Sequence, residues 1–128
     1  MRILYVEDDS MNRRVVRDMF ASLSMDIDEA PDVTTGLRMV NETPFDAIVT
    51  DLMMPEEDGL ALIRAIRRQA GTGGAVPILV LTADTSDVAR ETCLKGGAND
   101  VMTKPVGLST LVERLGRAIA SSASVTFN

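Results

Sequence analysis

The 128-residue sequence contains no histidine, no tryptophan and only one cysteine, Cys93. Without histidine the chain cannot form a Ser-His-Asp triad, a Cys-His catalytic pair or a zinc finger, and it cannot carry a phosphohistidine of its own. A single thiol cannot form an intramolecular disulfide, and we predict that Cys93 packs in the apolar core. These absences exclude several classes of catalysis and of metal binding.

Long apolar runs are also missing. No window approaches the roughly 18 to 20 apolar residues of a membrane span, and the segment after Arg2 turns acidic at Glu7, unlike a signal peptide. Basic residues are scarce, with 13 Lys and Arg against 19 Asp and Glu and a net charge of −6, which argues against a phosphate-backbone-binding surface. We expect a soluble, cytoplasmic protein that contacts neither a membrane nor nucleic acid directly.

The sequence does contain short apolar runs typical of buried strands at residues 3–6, 47–50 and 78–81, a brief strand candidate at 100–102 and a weaker one at 25–29. Helical patterns follow them in segments 15–23, 33–40, 60–66, 85–95 and 108–119, and Ser10 is the predicted N-cap of the first helix. This alternation predicts an α/β fold, a doubly wound parallel sheet with helices on both faces. We assign residues 1–120 to one domain and residues 121–128 to a flexible C-terminal tail.

Polar residues follow four of the predicted strands. Glu7 and Asp8 follow the first strand, Asp51 the third, Thr82 the fourth and Lys104 the fifth. In an open parallel α/β sheet the ligand crevice lies beyond the carboxyl ends of the strands. We therefore expect these five side chains to converge on one rim of the sheet.

The residue types on this rim indicate a phosphoryl-transfer chemistry. Three neighbouring carboxylates repel one another unless a cation compensates, and magnesium prefers oxygen ligands of this kind. Lys104 supplies a compact positive charge for a phosphoryl oxygen, Thr82 a hydroxyl donor and Asp51 a nucleophile that can form an aspartyl phosphate. Taken singly, each residue has a simpler interpretation as a solvated loop, cap or surface residue, so the prediction depends on all five lying together.

Four short motifs occur in a characteristic order. They are Ile-Leu-Tyr-Val-Glu-Asp-Asp at 3–9, Val-Thr-Asp-Leu-Met-Met-Pro at 49–55 with Asp58-Gly59, Leu-Thr-Ala at 81–83, and Gly-Ala-Asn-Asp at 97–100 followed by Thr-Lys-Pro at 103–105. In order and spacing they resemble the receiver domain of bacterial two-component response regulators, over about residues 2–120. The resemblance implies a flavodoxin-like receiver fold with five helices and strand order 2-1-3-4-5. It also implies a signalling switch controlled by phosphorylation.

The resemblance assigns roles to the acidic residues. Asp51 is expected to be the phosphoacceptor, and Asp8 and Asp51 are expected to be direct ligands of Mg2+, with Mn2+ as an alternative ion. Glu7 is expected to act on the metal through a water molecule. Met53 is expected to contribute its backbone carbonyl, so its side-chain type is little constrained.

The resemblance also assigns the residues that respond to the phosphoryl group. Thr82 is expected to be the switch hydroxyl and Lys104 the cation that contacts the phosphoryl oxygens, with a cis Lys104–Pro105 bond. The family usually carries an aromatic residue three positions before this lysine, but here the residue is Val101. Because valine lacks the size and rotamer range of that aromatic ring, we expect activation to show in the loop after Thr82 and in the helix from residue 85. Asp84 is a candidate for tuning the lifetime of the phosphoryl group, with a solvated helix cap as the alternative.

Partners follow from the same resemblance. The phosphoryl donor is expected to be a sensor histidine kinase or a histidine phosphotransfer domain, since this chain has no histidine. Met11, Val15 and Val106 are candidate contacts for that donor, with helix-core packing as the alternative for Val15. A downstream protein is expected to bind the face formed by residues 85–120, and the chain is expected to be a monomer or a weak dimer.

Other functions fit less well or remain open. An aspartate-nucleophile phosphatase would carry a second Asp where this chain has Met53, and a flavodoxin would need a hydroxyl-rich phosphate loop and flavin-stacking aromatics. No enzymatic activity is expected beyond self-catalysed phosphorylation and dephosphorylation. A receiver-fold binding module that does not switch in the usual way remains an alternative, because of Val101. No output domain is evident, so the chain is either a stand-alone receiver or one excised from a larger protein such as a hybrid histidine kinase.

Overall fold

Strands and helices alternate along the chain as the apolar pattern predicts. The computed structural model describes residues 2–54, 58–69 and 72–126, without the side chains of 72–73 and 122–126. The strands are β1 (Arg2–Val6), β2 (Asp26–Ala30), β3 (Ala47–Asp51), β4 (Ile78–Thr82) and β5 (Asp100–Thr103). The helices are α1 (Ser10–Ala21), α2 (Val33–Glu42), α3 (Gly59–Arg67), α4 (Asp87–Gly96) and α5 (Leu108–Thr126), and a short 3-10 turn covers Thr72–Ala75.

The strands form a single parallel sheet in the order β2-β1-β3-β4-β5. This confirms the doubly wound fold and the strand order 2-1-3-4-5. Strand order reverses between β1 and β3, and in such sheets the crevice beyond the carboxyl ends at that point holds the ligand. The ligand crevice is therefore expected beyond the carboxyl ends of β1 and β3.

Two apolar clusters cover the two faces of the sheet, because alternate residues of each strand point to opposite sides. In β1, Leu4 and Val6 pack with α2, α3 and α4 on one face, and Ile3 and Tyr5 pack with α1 and α5 on the other. Cys93 of α4 is fully buried in the first cluster, which confirms the predicted packing role. Burial on both faces explains why β1, β3 and β4 consist largely of consecutive apolar residues.

The first helix begins one residue earlier than predicted. Asp9, not Ser10, is the N-cap of α1, and its carboxylate accepts hydrogen bonds from the main-chain N–H groups of Met11 at 2.8 Å and Asn12 at 3.4 Å. Asp9 has an extended backbone that turns its side chain toward these unpaired N–H groups. Ser10 is instead the first helical residue.

The last helix is longer than predicted. Its backbone is helical from Leu108 to Thr126, so most of residues 121–128 continue α5 where we expected a tail. The segment after Ile119 is made of Ala, Ser, Val and Thr, without the Gly or Pro that would end a helix. Residues 127 and 128 lie outside the described part of the chain, as does Pro55 of the second motif.

None of the helices in the described residues is both long and apolar enough to cross a membrane.

Candidate functional site

The rim predicted from the strand ends is present. Glu7, Asp51 and Thr82 are buried at the carboxyl ends of β1, β3 and β4. Lys104, which follows β5, donates a hydrogen bond from Nζ to Glu7 Oε1 at 2.6 Å, and its Nζ lies 3.4 Å from Asp51 Oδ2. Parallel strands of matched register bring together residues that are up to 97 positions apart in sequence.

Three carboxylates at this rim, two of them in contact with Lys104, form a donor set suited to a hard divalent cation. One oxygen from each of Glu7, Asp8 and Asp51 lies within 4.8 Å of the other two. Asp8 is exposed, whereas Glu7 is fully buried and its Oε2 has no hydrogen-bond partner among the described residues. A buried acceptor without a donor, beside two further carboxylates, fits Mg2+ and its bound waters. The one ammonium of Lys104 leaves an excess of negative charge for the cation to neutralise.

The pKa values of both partners of the Glu7–Lys104 ion pair are raised, for different reasons. Burial raises the pKa of Glu7, and the neighbouring Asp51 raises it further, against the lowering effect of Lys104. Burial by itself lowers the pKa of Lys104, but its hydrogen bond to Glu7 and the charge of Asp51 raise this pKa above its ordinary value. Lys104 is therefore held as a cation, while burial and the neighbouring Asp51 disfavour the charged form of Glu7.

Main-chain geometry fixes the end of β3 around Asp51. Met53 donates its N–H to Asp51 Oδ1 at 3.4 Å, and its side chain is exposed, so only the backbone of Met53 faces the carboxylate. A Cβ at Gly59 would collide with the carbonyl oxygen of Asp51. The close approach of α3 to Asp51 explains why glycine follows Asp58 in the second motif.

A chain of hydrogen bonds connects Thr82 to the start of α4. Thr82 Oγ1 accepts from the N–H of Asp84 at 3.1 Å, and Asp84 Oδ1 accepts from the N–H of Ser86 at 2.9 Å. Ser86 is in turn the N-cap of α4, accepting from the N–H of Ala89. The bond from Ser86 lowers the pKa of Asp84. These hydrogen bonds link the Thr82 hydroxyl to the first turn of α4.

The position that departs from the family pattern lies beside α4. Val101 is buried against the cluster that contains Cys93. Its carbonyl oxygen accepts a hydrogen bond from Arg90 Nη1 of α4 at 3.0 Å. The Lys104–Pro105 peptide bond is cis.

Sequence reasoning missed three contacts to the acidic rim. The Tyr5 hydroxyl donates to Glu7 Oε1 at 3.3 Å, Arg13 Nη1 donates to the Glu7 carbonyl at 2.6 Å, and Thr50 Oγ1 donates to the Asp51 carbonyl at 3.0 Å. A signal for the first was present, because Tyr5 precedes Glu7 by two residues and the period of a strand is two. The contacts of Arg13 and Thr50 have no comparable sequence signature.

The candidate donor-docking residues lie beside the rim. Val15 and Val106 line the same small cavity, about 90 Å³ in volume, which also includes Lys104 and Pro105. Met11 is 76% exposed at the start of α1 and does not line this cavity. Exposed apolar side chains therefore border the site on the α1 side.

Comparison with known proteins shows which family this chain resembles. The family model of the response regulator receiver domain matches residues 3–116. The response regulator MprA of Mycobacterium leprae is 40% identical over 115 residues, which are 90% of this chain and 49% of the relative. The MprA of Mycobacterium avium is 37% identical over the whole of this chain and 58% of its own length. This chain spans about half the length of such relatives.

Two solved structures are similar throughout the fold. The receiver domain of the sensor histidine kinase PA1611 from Pseudomonas aeruginosa, described with a magnesium ion coordinated in the active site cleft, is 36% identical with a TM-score of 0.85. The match covers 93% of this chain and 97% of that domain. The receiver domain of the Francisella response regulator 1452 is 28% identical with a TM-score of 0.85, covering 94% and 98% of the two chains.

Proposed function

The chain belongs to the response regulator receiver domain family, and from this premise we propose that it accepts a phosphoryl group from a phosphohistidine onto Asp51. The observation that carries the proposal is the position of the Asp51 carboxylate, 3.4 Å from Lys104 Nζ and grouped with the oxygens of Glu7 and Asp8. A nucleophile, a cation for the phosphoryl oxygens and a metal-binding donor set thus occupy one rim.

Each residue of the rim has a distinct task in the proposed transfer. Asp8, Asp51, the Met53 carbonyl and Glu7 through water would hold Mg2+, and the ion would supply charge neutralisation for the phosphoryl oxygens. An oxygen of Asp51 forms the new P–O bond while the P–N bond of the donor breaks and its electron pair returns to the imidazole nitrogen, which binds a proton. Lys104 stabilises the charge on the transferred oxygens.

The switching step uses the loop that begins at Thr82. In the proposal the Thr82 hydroxyl donates to a phosphoryl oxygen, which pulls the segment through Asp84 and Ser86 toward the site and shifts α4. The altered face, residues 85–120, then controls a downstream protein. Because Val101 supplies no aromatic ring, we propose that this loop carries the response, and that a binding module without switching is the alternative.

The donor is proposed to be a sensor histidine kinase or a histidine phosphotransfer domain in the cytoplasm. It would place its histidine over the rim and cover the apolar side chains of Met11, Val15 and Val106. The likeness to the PA1611 receiver, named as part of a sensor histidine kinase, favours a second placement, in which this receiver belongs to a hybrid kinase. The proposed phosphorylation chemistry would be the same whether the receiver belongs to a response regulator or to a hybrid kinase.

Phosphorylation with a small donor tests the proposal directly. We expect phosphoramidate and Mg2+ to add one phosphoryl group to the parent and none to Asp51→Asn, as measured by intact mass. Asp18→Asn makes the same chemical change on the exposed side of α1 and should be phosphorylated normally. Phosphorylation of Asp51→Asn at the parent's rate would contradict the assignment.

Hydrogen exchange then separates a switch from a passive module. We expect phosphorylation to change amide exchange in residues 83–96 of the parent but not in Thr82→Ala, which keeps Asp51 and the metal-binding carboxylates. Unchanged exchange in a fully phosphorylated parent would favour the non-switching module.

If Asp84 tunes the phosphoryl lifetime, Asp84→Asn will change the dephosphorylation rate of the purified phosphoprotein, and an identical rate would remove that role.

A further inference from the structure

The single tyrosine of the chain lies beneath the acidic rim. Tyr5 is fully buried in β1 among residues of α1 and α5, and its hydroxyl donates to Glu7 Oε1 at 3.3 Å. Buried hydroxyls require a partner, and here the partner belongs to the candidate metal site. The contact between this core residue and the rim is direct.

The two oxygens of Glu7 have unequal surroundings. Oε1 accepts from both Tyr5 and Lys104 Nζ, the latter at 2.6 Å. Oε2 is buried and has no hydrogen-bond partner among the described residues. The terminal torsion of a glutamate is soft, so the two donors on Oε1 decide which oxygen remains available. They leave Oε2 as the free acceptor.

Lys104 cannot serve as the permanent holder of Glu7. Its ammonium lies between Glu7 Oε1 and Asp51 Oδ2, at 2.6 and 3.4 Å, and a phosphoryl group on Asp51 would compete for the same charge. Tyr5, by contrast, is fixed by packing on all sides in the core. When Lys104 turns toward the phosphoryl group, the Tyr5 hydroxyl still holds Oε1.

We propose that Tyr5 is a positioning residue of the magnesium site, whose hydroxyl fixes the Glu7 carboxylate so that Oε2 faces the waters of the bound metal. The inference deepens the proposed function and depends on its metal site, but it concerns Mg2+ affinity before any phosphoryl transfer. Hydrogen-bonding partners of metal-binding groups commonly change affinity by about 10- to 100-fold. Since Lys104 also holds Glu7, we expect about a tenfold loss when the tyrosine hydroxyl is removed.

Calorimetric Mg2+ titration of four proteins tests the proposal: the parent, Tyr5→Phe, Glu7→Gln and the double variant. We expect Tyr5→Phe to raise the Kd for Mg2+ about tenfold. In the Glu7→Gln background the same change should have no further effect, because the hydroxyl acts only through that carboxylate. An unchanged Kd in Tyr5→Phe, or an equal loss in both backgrounds, would overturn the proposal.

A stability-matched control separates positioning from general loosening of the core. Ile66→Val removes one buried methylene on the opposite face of the sheet and should lower stability by about 1 kcal/mol while leaving the Mg2+ affinity at the parent's value. A loss of affinity in Ile66→Val equal to that in Tyr5→Phe would assign the effect to stability and refute positioning.

Two further measurements guard against a variant that folds poorly: one uses the parent alone, and the other compares the variant's maximal rate with that of the parent. The parent has one tyrosine and no tryptophan, so its intrinsic fluorescence emission reports on Tyr5 alone. We expect Mg2+ to change that emission with the Kd measured by calorimetry. An emission that does not change on addition of Mg2+ contradicts the proposal. With phosphoramidate, Tyr5→Phe should need more Mg2+ for half-maximal phosphorylation but reach the parent's rate at saturation. A parent that binds Mg2+ as described but is never phosphorylated would refute the proposed function and leave this inference standing.

Discussion

Removing the Asp51 charge should stabilise the protein when no divalent cation is present. Asp51→Asn keeps the shape of the side chain and an oxygen that can accept the Met53 N–H. It removes the repulsion between Asp51 and the carboxylates of Glu7 and Asp8, which lie within 4.8 Å. It also removes the attraction between Asp51 and Lys104 at 3.4 Å. The sign of the change depends on which effect is larger.

The distances favour stabilisation. At an effective dielectric constant of 20, each repulsive pair, separated by no more than 4.8 Å, costs at least about 3.5 kcal/mol, and the attractive pair at 3.4 Å contributes about 5 kcal/mol. Two repulsions therefore outweigh one attraction, and solvent around Asp8 and Lys104 screens the difference to about 1 kcal/mol. For a domain of this size that corresponds to a rise in Tm of about 4 °C.

Urea unfolding with a chelator and then with Mg2+ measures both parts of the argument. In the chelator, Asp51→Asn should be more stable than the parent, and the control Asp18→Asn should equal the parent. At a Mg2+ concentration ten times its Kd the parent gains about 1.4 kcal/mol, so the advantage of the variant should vanish or reverse. A variant less stable than the parent in the chelator would refute the charge-repulsion argument.

Three other predictions concern single residues. The pKa of Glu7 is raised in the folded state. Without metal, its contribution to stability is therefore full below its unfolded pKa and is lost as the pH rises through the raised value. Glu7→Gln should remove this decline in stability, measured by urea unfolding at a series of pH values. The N–H of Thr35 lies 2.7 Å from the Asp32 carboxylate and lowers the pKa of Asp32. Asp32→Ala should therefore lower stability by about 1 kcal/mol at pH 7 and by progressively less as the pH falls through the lowered pKa. A loss of stability that does not change with pH would contradict the capping role. Arg67→Met should lower stability by about 2 to 4 kcal/mol without altering Mg2+ affinity by calorimetry, and a parallel loss of affinity would show that its effect reaches the rim.

The sequence allowed prediction of the fold and of the five rim residues because both depend on local pattern and topology. Buried parallel strands are continuously apolar, so β3 and β4 were recognisable without any partner. Once a parallel sheet is assumed, the carboxyl ends of its strands must share an edge. Asp51 and Lys104 were therefore expected together although 53 positions separate them.

Contacts that depend on side-chain reach could not be predicted in the same way. Arg67 donates to the carbonyl oxygens of Gly74, Val76 and Gly97 and to Asn99 Oδ1, at 2.6 to 3.0 Å. These acceptors come from two loops at the edge opposite the rim, and no spacing rule relates them to α3. Burial lowers the pKa of Arg67, and its guanidinium is held by these oxygens with no carboxylate partner among the described residues.

The contact between α4 and β5 bears on the proposed switch, in which Val101 stands where the family usually has an aromatic residue. Arg90 of α4 donates to the Val101 carbonyl at 3.0 Å, and its other terminal nitrogen lies 3.9 Å from Asp100 Oδ1. The second oxygen of Asp100 accepts from Arg114 of α5 at 2.7 Å. In the proposed switch, a shift of α4 that starts at Thr82 would stretch the contact between Arg90 and the Val101 carbonyl and change the ion pairs of Asp100. The contacts of Arg90, Asp100 and Arg114 therefore connect α4, β5 and α5 within residues 85–120, and this connection requires no aromatic ring at position 101.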